Sequence, residues 1–145
     1  MRDLPRQLST DRLAEVFEGR TRFVELLAER EDPLGAAPEV IAQLNEIEKL
    51  EALNAHPAIG APGLSGRSAE EQGADPEPAI LTELAYLNQV YEEKFGFRFV
   101  VFVDRRSKAE ILEVLRARLE RTRDEELDTG LSELVAIARD RWERS

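Results

Sequence analysis

Residues 99–103 read FVVFV, five apolar residues in a row of which three are valine, and whether they form a strand decides the fold. Such a run reads as a buried strand. No second convincing strand stands elsewhere in the 145 residues to pair with it. A lone extended segment must then find backbone partners outside a sheet. On either side of it the pattern is helical. Past Pro78, residues Ile80, Leu84, Leu87, Tyr91 and Phe95 step by three or four and stop at Gly96, which suits a C-terminal cap. On the other side, Ser107 to Glu110 forms a capping box before Ile111, Leu112, Leu115 and Leu119. A last helix from about Asp124 carries Leu127, Leu131, Leu134, Ala138 and Trp142.

The N-terminal half repeats the period. Leu13, Val16, Phe17, Val24 and Leu27 predict a helix capped by Ser9 or Thr10 and ending near EDPLG. Val40, Ile41, Leu44, Ile47 and Leu50 predict a second, after Pro38 and ending at His56, because Pro57 disfavours helical geometry in the residue before it. There is no internal repeat, linker or low-complexity tract. The expectation is all-α: one compact multi-helix domain over residues 1–145, with one short extended segment at 99–103.

Composition excludes several classes of function. The chain has 30 acidic and 20 basic residues, a formal net charge of −10, and no cysteine. Disulfides, thiolate nucleophiles and cysteine-bound zinc are ruled out. The negative charge disfavours nucleic acid and anionic membranes as partners. No apolar run approaches a membrane span, MRDLPRQLST lacks the apolar core of a signal peptide, and RWERS is no peroxisomal address. The expected location is the cytoplasm.

Three features carry possible chemistry. His56 is the one histidine, set before Pro57 and a glycine-rich loop. Alone it reads as well as a helix-ending residue with a satisfied ring. Ser68 to Glu71 in SAEEQ resembles a helix-opening capping box, but GADPEP follows where an apolar run should stand. A short turn presenting a hydroxyl, a carboxylate and an amide suits a ligand. Arg141 lies three after Ala138, four after Ile137 and seven after Leu134, on the apolar edge of its helix beside Trp142. Either it snorkels to solvent or it meets an anion.

With these residues in view the chain resembles the 2-oxo-4-hydroxy-4-carboxy-5-ureidoimidazoline (OHCU) decarboxylases of urate breakdown. HPAIG, SAEEQ, LNQVYEEKFGFRFVVFV, EILEVLRARL and ELVAIARDR occur in that family's order and approximate spacing, from about Leu53 to Arg141. The resemblance implies an all-helical homodimer that needs no metal and no organic cofactor, with OHCU as substrate and S-allantoin as product. It makes His56 the proton donor and puts Pro57 beside the substrate. Ser68, Glu71 and Gln72 match the substrate-binding Ser-x-x-Glu-Gln, and Arg141 matches the arginine of the final Ile-Ala-x-x-Arg. Phe99, Val100, Val101, Phe102 and Val103 correspond to a stretch whose backbone binds the ring and ureido system. The chain departs from the family where Arg98 replaces a usual proline and where Arg105 and Arg106 stand near a usual glycine. The loop between His56 and Ser68 is shorter than in animal members, and the family's aromatic-proline pattern is not clearly present near Thr21 to Phe23.

The chemistry fits what the chain lacks. Loss of carbon dioxide from OHCU leaves electrons next to a ring C=N bond, so the substrate supplies its own electron sink. The protein must orient a carboxylate, stabilise an enol-like intermediate and deliver one proton to one face. One imidazole, kept protonated by a carboxylate such as Glu71, suits that delivery, and Arg141 would clamp an anion. The rival reading is a non-catalytic acidic helical module that binds a partner protein. A metal-dependent hydrolase is weaker still, having one histidine and no Asp/Glu-x-x-His pair. The decarboxylase reading requires His56, Glu71 and Arg141 to converge, whereas the module lets them scatter.

Overall fold

The FVVFV segment is neither helix nor strand. The computed structural model describes residues 3–57 and 78–144, with side chains from residue 10 onward, and among these there is no strand. The described residues form seven helices: α1 Asp3–Phe17, α2 Arg22–Ala28, α3 Ala37–Gln43, α4 Glu46–Asn54, α5 Pro78–Phe95, α6 Lys108–Leu119 and α7 Arg123–Arg144. The all-α expectation holds. The chain divides into two compact units, residues 1–56 with 131–145, and residues 57–130. Helix α7 therefore gives its first turns to the second unit and the remainder to the first.

In the first unit the two expected helices are four. The first opens at Asp3 rather than after Ser9 and Thr10, which lie inside it, and it ends at Phe17 instead of running to EDPLG. Glu18 takes a left-handed φ of 61°, while Gly19 N–H reaches the Ala14 carbonyl at 2.8 Å and Glu18 N–H the Glu15 carbonyl at 3.4 Å. These bonds make a Schellman ending. Thr21 then caps α2, its hydroxyl accepting from Val24 N–H at 3.3 Å. The second expected helix breaks at Leu44, whose ψ is 141°. Asn45 and Glu48 form a full capping box that starts α4, which ends two residues short of His56. In both cases the apolar stripe continues through the break, so periodicity alone did not reveal it. Helix α2 packs on α1, α3 and α4, and the unit's core includes Leu13, Phe23, Leu27, Val40, Leu53, Leu131 and Leu134, each at most 1% exposed. Phe17 meets Phe23 edge to face, with ring centres 5.3 Å apart.

In the second unit α5 runs as expected and stops at Gly96, whose φ of 82° suits glycine. The Ser107–Glu110 capping box is present in both directions. Between them the extended segment is buried, with Phe99 and Val100 at most 1% exposed. Three of its carbonyls accept from arginine side chains. Arg118 donates to Val100 at 2.7 Å, and Arg106 donates to Val103 at 3.1 Å and also to Phe102. That resolves how a single strand-like run survives in a helical protein: guanidinium groups replace a neighbouring strand. Arg118 is itself held by Glu126, a carboxylate with no exposure. Glu126 accepts from Arg118 Nε at 2.7 Å, Tyr91 hydroxyl at 2.6 Å and Arg121 at 3.0 Å. Burial first, then the hydrogen bond to Glu126, raises the Tyr91 pKa well above its ordinary 10.0.

Past the segment, Asp104 and Arg105 are both left-handed, with φ of 47° and 63°. Arg106 N–H closes the turn onto the Val103 carbonyl at 2.9 Å. Here lies a physical reason for the glycine that the family resemblance places nearby, since each left-handed L-residue costs roughly 1–2 kcal/mol. Arg98, the other departure, is partly exposed and pairs with Glu92 at 3.5 Å.

Candidate active site

His56 follows the last turn of α4, its N–H bonded to the Leu53 carbonyl at 3.2 Å, and its side chain is 10% exposed. Its Nδ1 lies 3.7 Å from Oε2 of Glu18, in the turn after α1. The same Glu18 oxygen lies 3.6 Å from Arg141 in α7. Arg141 also donates to the Val16 carbonyl at 3.0 Å, one of the carbonyls that the end of α1 leaves open. Imidazole, carboxylate and guanidinium thus meet at the ends of two helices and on the side of a third, all within the first unit.

Local sequence explains the convergence. Gly19 brings the α1–α2 turn against the end of α4, because a Cβ there would stand 3.1 Å from the Cβ of Ala55. Glu51 tightens the same junction by accepting from Arg22 N–H at 2.7 Å. Arg141 is 1% exposed, so it does not snorkel. The carboxylate it meets is Glu18, which the sequence did not single out, while Glu71, the expected partner, lies outside the described residues. A buried guanidinium left without an anion would be strongly unfavourable.

The other expected site residues are placed differently. Ser68, Glu71 and Gln72 lie outside the described residues. Pro57 directly follows His56 and is half-buried. Phe99, Val100, Val101, Phe102 and Val103 belong to the second unit. Glu18 is the residue sequence reading missed. It is one of 30 acidic residues, and only its neighbour Gly19 hinted that a helix ends there.

A histidine in reach of a carboxylate can be held in one orientation and charge state, and an arginine beside them can bind an anion. An arrangement of this kind is chemically able to move a proton without a nucleophile. A model of the OHCU decarboxylase family matches residues 2–143, and the chain belongs to that family. It is 36% identical over 105 residues to the uric acid degradation bifunctional protein of Arabidopsis thaliana, which covers 66% of this chain and 32% of that protein. It is 33% identical over 108 residues to the 2-oxo-4-hydroxy-4-carboxy-5-ureidoimidazoline decarboxylase of Halalkalicoccus jeotgali, covering 71% and 61%. The match thus spans about a third of the first relative and under two thirds of the second. The crystal structure of an OHCU decarboxylase in the presence of (S)-allantoin superposes with a TM-score of 0.76 at 28% identity, covering 90% of this chain and 94% of that one.

Proposed function

We propose that the protein decarboxylates OHCU to S-allantoin in urate catabolism, with His56 as the proton donor. The observation that carries this reading is the meeting of His56 and Arg141 around one carboxylate, in a chain of this family. The bond from the ring carbon to the carboxylate breaks, carbon dioxide leaves, and the electron pair moves into the adjacent C=N system. His56 then gives its proton to that carbon from one side, which sets the stereochemistry. Arg141 assists by favouring negative charge nearby. Ser68, Glu71 and Gln72, and the main chain of Phe99–Val103, complete the substrate contacts in this reading. The family expectations of a homodimer and of a cytoplasmic location belong to the same proposal.

The test generates OHCU in situ from urate with the two preceding enzymes and follows the optical activity of the allantoin formed. The wild type should give S-allantoin, and His56→Asn should give only the slow racemic background, because general acid catalysis contributes about 10²–10⁴-fold. Stereospecific turnover retained in His56→Asn would remove this residue from the mechanism.

A further inference from the structure

Glu18 has no part in the chemistry expected from the sequence, yet its placement is costly. It stands at the position after α1 where the chain turns left-handed, with φ 61°, and glycine is the usual occupant there. For any other L-residue that conformation carries roughly a tenfold population penalty. A glycine is adjacent, but Gly19 is committed to its own close approach, since a Cβ there would stand 3.1 Å from the Ala55 Cβ. The chain thus keeps a disfavoured glutamate one residue from a glycine. Backbone strain of this kind points to function when the side chain it aims has a specific target. Here the target is double, Nδ1 of His56 at 3.7 Å and Arg141 at 3.6 Å, both from Oε2.

We propose that Glu18 is a positioning residue for His56: its carboxylate, anchored by Arg141, holds the imidazole through Nδ1 and favours the imidazolium, so that Nε2 delivers the proton. The inference rests on the decarboxylase reading for its catalytic consequence, but the coupling itself does not need turnover. Among the described residues Glu18, from the turn after α1, stands beside this ring, and Arg141, from α7, pairs with the same Glu18 oxygen. Removing the carboxylate leaves the cation, and both changes oppose protonation of His56.

The chain's single histidine makes this measurable, since imidazole ring-proton signals in NMR then report one residue. In the 145-residue chain, Glu18→Gln should lower the pH midpoint of those signals by about one unit, a tenfold weaker proton affinity. Its kcat should fall about 10–100-fold, part of what a general acid supplies, with KM changed by less than about threefold. Glu18→Gly is the folding control, because glycine accepts φ 61° without strain, and it should show the same two losses. A merely structural glutamate would move neither the ring titration nor the kcat-to-KM split. An unchanged midpoint in both variants overturns the proposal whatever the activity, and so does an unchanged kcat in variants of an active wild type. A wild type without turnover, but with the expected shift in midpoint on substitution, sinks the decarboxylase reading and supports the His56–Glu18 coupling.

Discussion

Truncation of Glu126 to alanine should be among the most destabilising single changes in the second unit. Its carboxylate has no exposure and receives Arg118 at 2.7 Å, Tyr91 at 2.6 Å and Arg121 at 3.0 Å. Arg118 is only 6% exposed, so Glu126→Ala leaves a buried cation without its main counter-charge, which costs about 3–5 kcal/mol. The Tyr91 hydroxyl loses its acceptor as well, worth roughly 1–3 kcal/mol where water does not reach. Because the groups share one centre these figures overlap, and a total of about 4–6 kcal/mol is expected. Against a domain stability of about 5–15 kcal/mol the variant should be barely folded. Removing both charges together, as Arg118→Met with Glu126→Leu, should cost less than the sum of the single losses by at least about 2 kcal/mol. Urea unfolding followed by far-ultraviolet circular dichroism measures wild type, Glu126→Ala, the singles Arg118→Met and Glu126→Leu, and their double variant, with a constant slope checking that the unfolded state is unchanged. A Glu126→Ala loss below about 1 kcal/mol, or strictly additive singles, would refute the view that this carboxylate neutralises Arg118.

Two further predictions follow from the same geometry. Arg141→Lys cannot keep both the Val16 carbonyl and the Glu18 carboxylate in the planar arrangement seen at 3.0 and 3.6 Å. It should stay folded yet lose about 10–100-fold in kcat/KM, roughly 1.5–3 kcal/mol, and steady-state kinetics at wild-type level would remove Arg141 from the site. Tyr91→Phe should cost about 1.5–3 kcal/mol at neutral pH, through the lost bond to a charged acceptor. Since burial and Glu126 raise the Tyr91 pKa above 10.0 in the folded state, the tyrosine's contribution is full below pH 10 and falls as pH rises further. Urea midpoints of wild type and Tyr91→Phe should therefore run parallel up to about pH 10 and converge above it, and a gap that widens there would contradict this sign.

The legible parts of the fold were those written in neighbouring residues. The Ser107–Glu110 box and the Gly96 stop are local devices, and each acts where the sequence places it. The Asn45–Glu48 box was equally local, but it sat under a continuous stripe from Val40 to Leu50, and the stripe dominated the reading. His56 was conspicuous by rarity, and Arg141 by lying on an apolar edge. Glu18 and Glu126 had neither mark. Each is one carboxylate among many, and what distinguishes it is a partner distant in sequence: Arg141 lies 123 positions beyond Glu18 (141 − 18), and Tyr91 lies 35 before Glu126. Charge patterning along a helix cannot signal such pairs, because it compares residues one turn apart.

The two carboxylates also show how one device serves different ends. Each links arginine to one ring-bearing side chain, Glu126 linking Arg118 and Arg121 to Tyr91 and Glu18 linking Arg141 to His56. At Glu126 the contacts lie between 2.6 and 3.0 Å with no exposure, the lengths of fully formed charge-assisted hydrogen bonds. Such a centre rigidifies a core, and it positions the Val100 carbonyl through Arg118. At Glu18 the ion-pair distances are 3.6 and 3.7 Å, with 13% of the side chain exposed. These lengths exceed a hydrogen bond and fall where electrostatic preference remains but geometry is still free to tighten. Catalytic hydrogen bonds commonly lengthen in unliganded proteins and close on the reactant. A donor that must release a proton and recover it each cycle is better served by the looser arrangement, since a partner bonded as tightly as Glu126 would hold the imidazolium too firmly to give the proton up. Under the proposed mechanism, the contrast in length between two carboxylate-centred clusters therefore argues that the one at Glu126 is built to stay and the one at Glu18 to act.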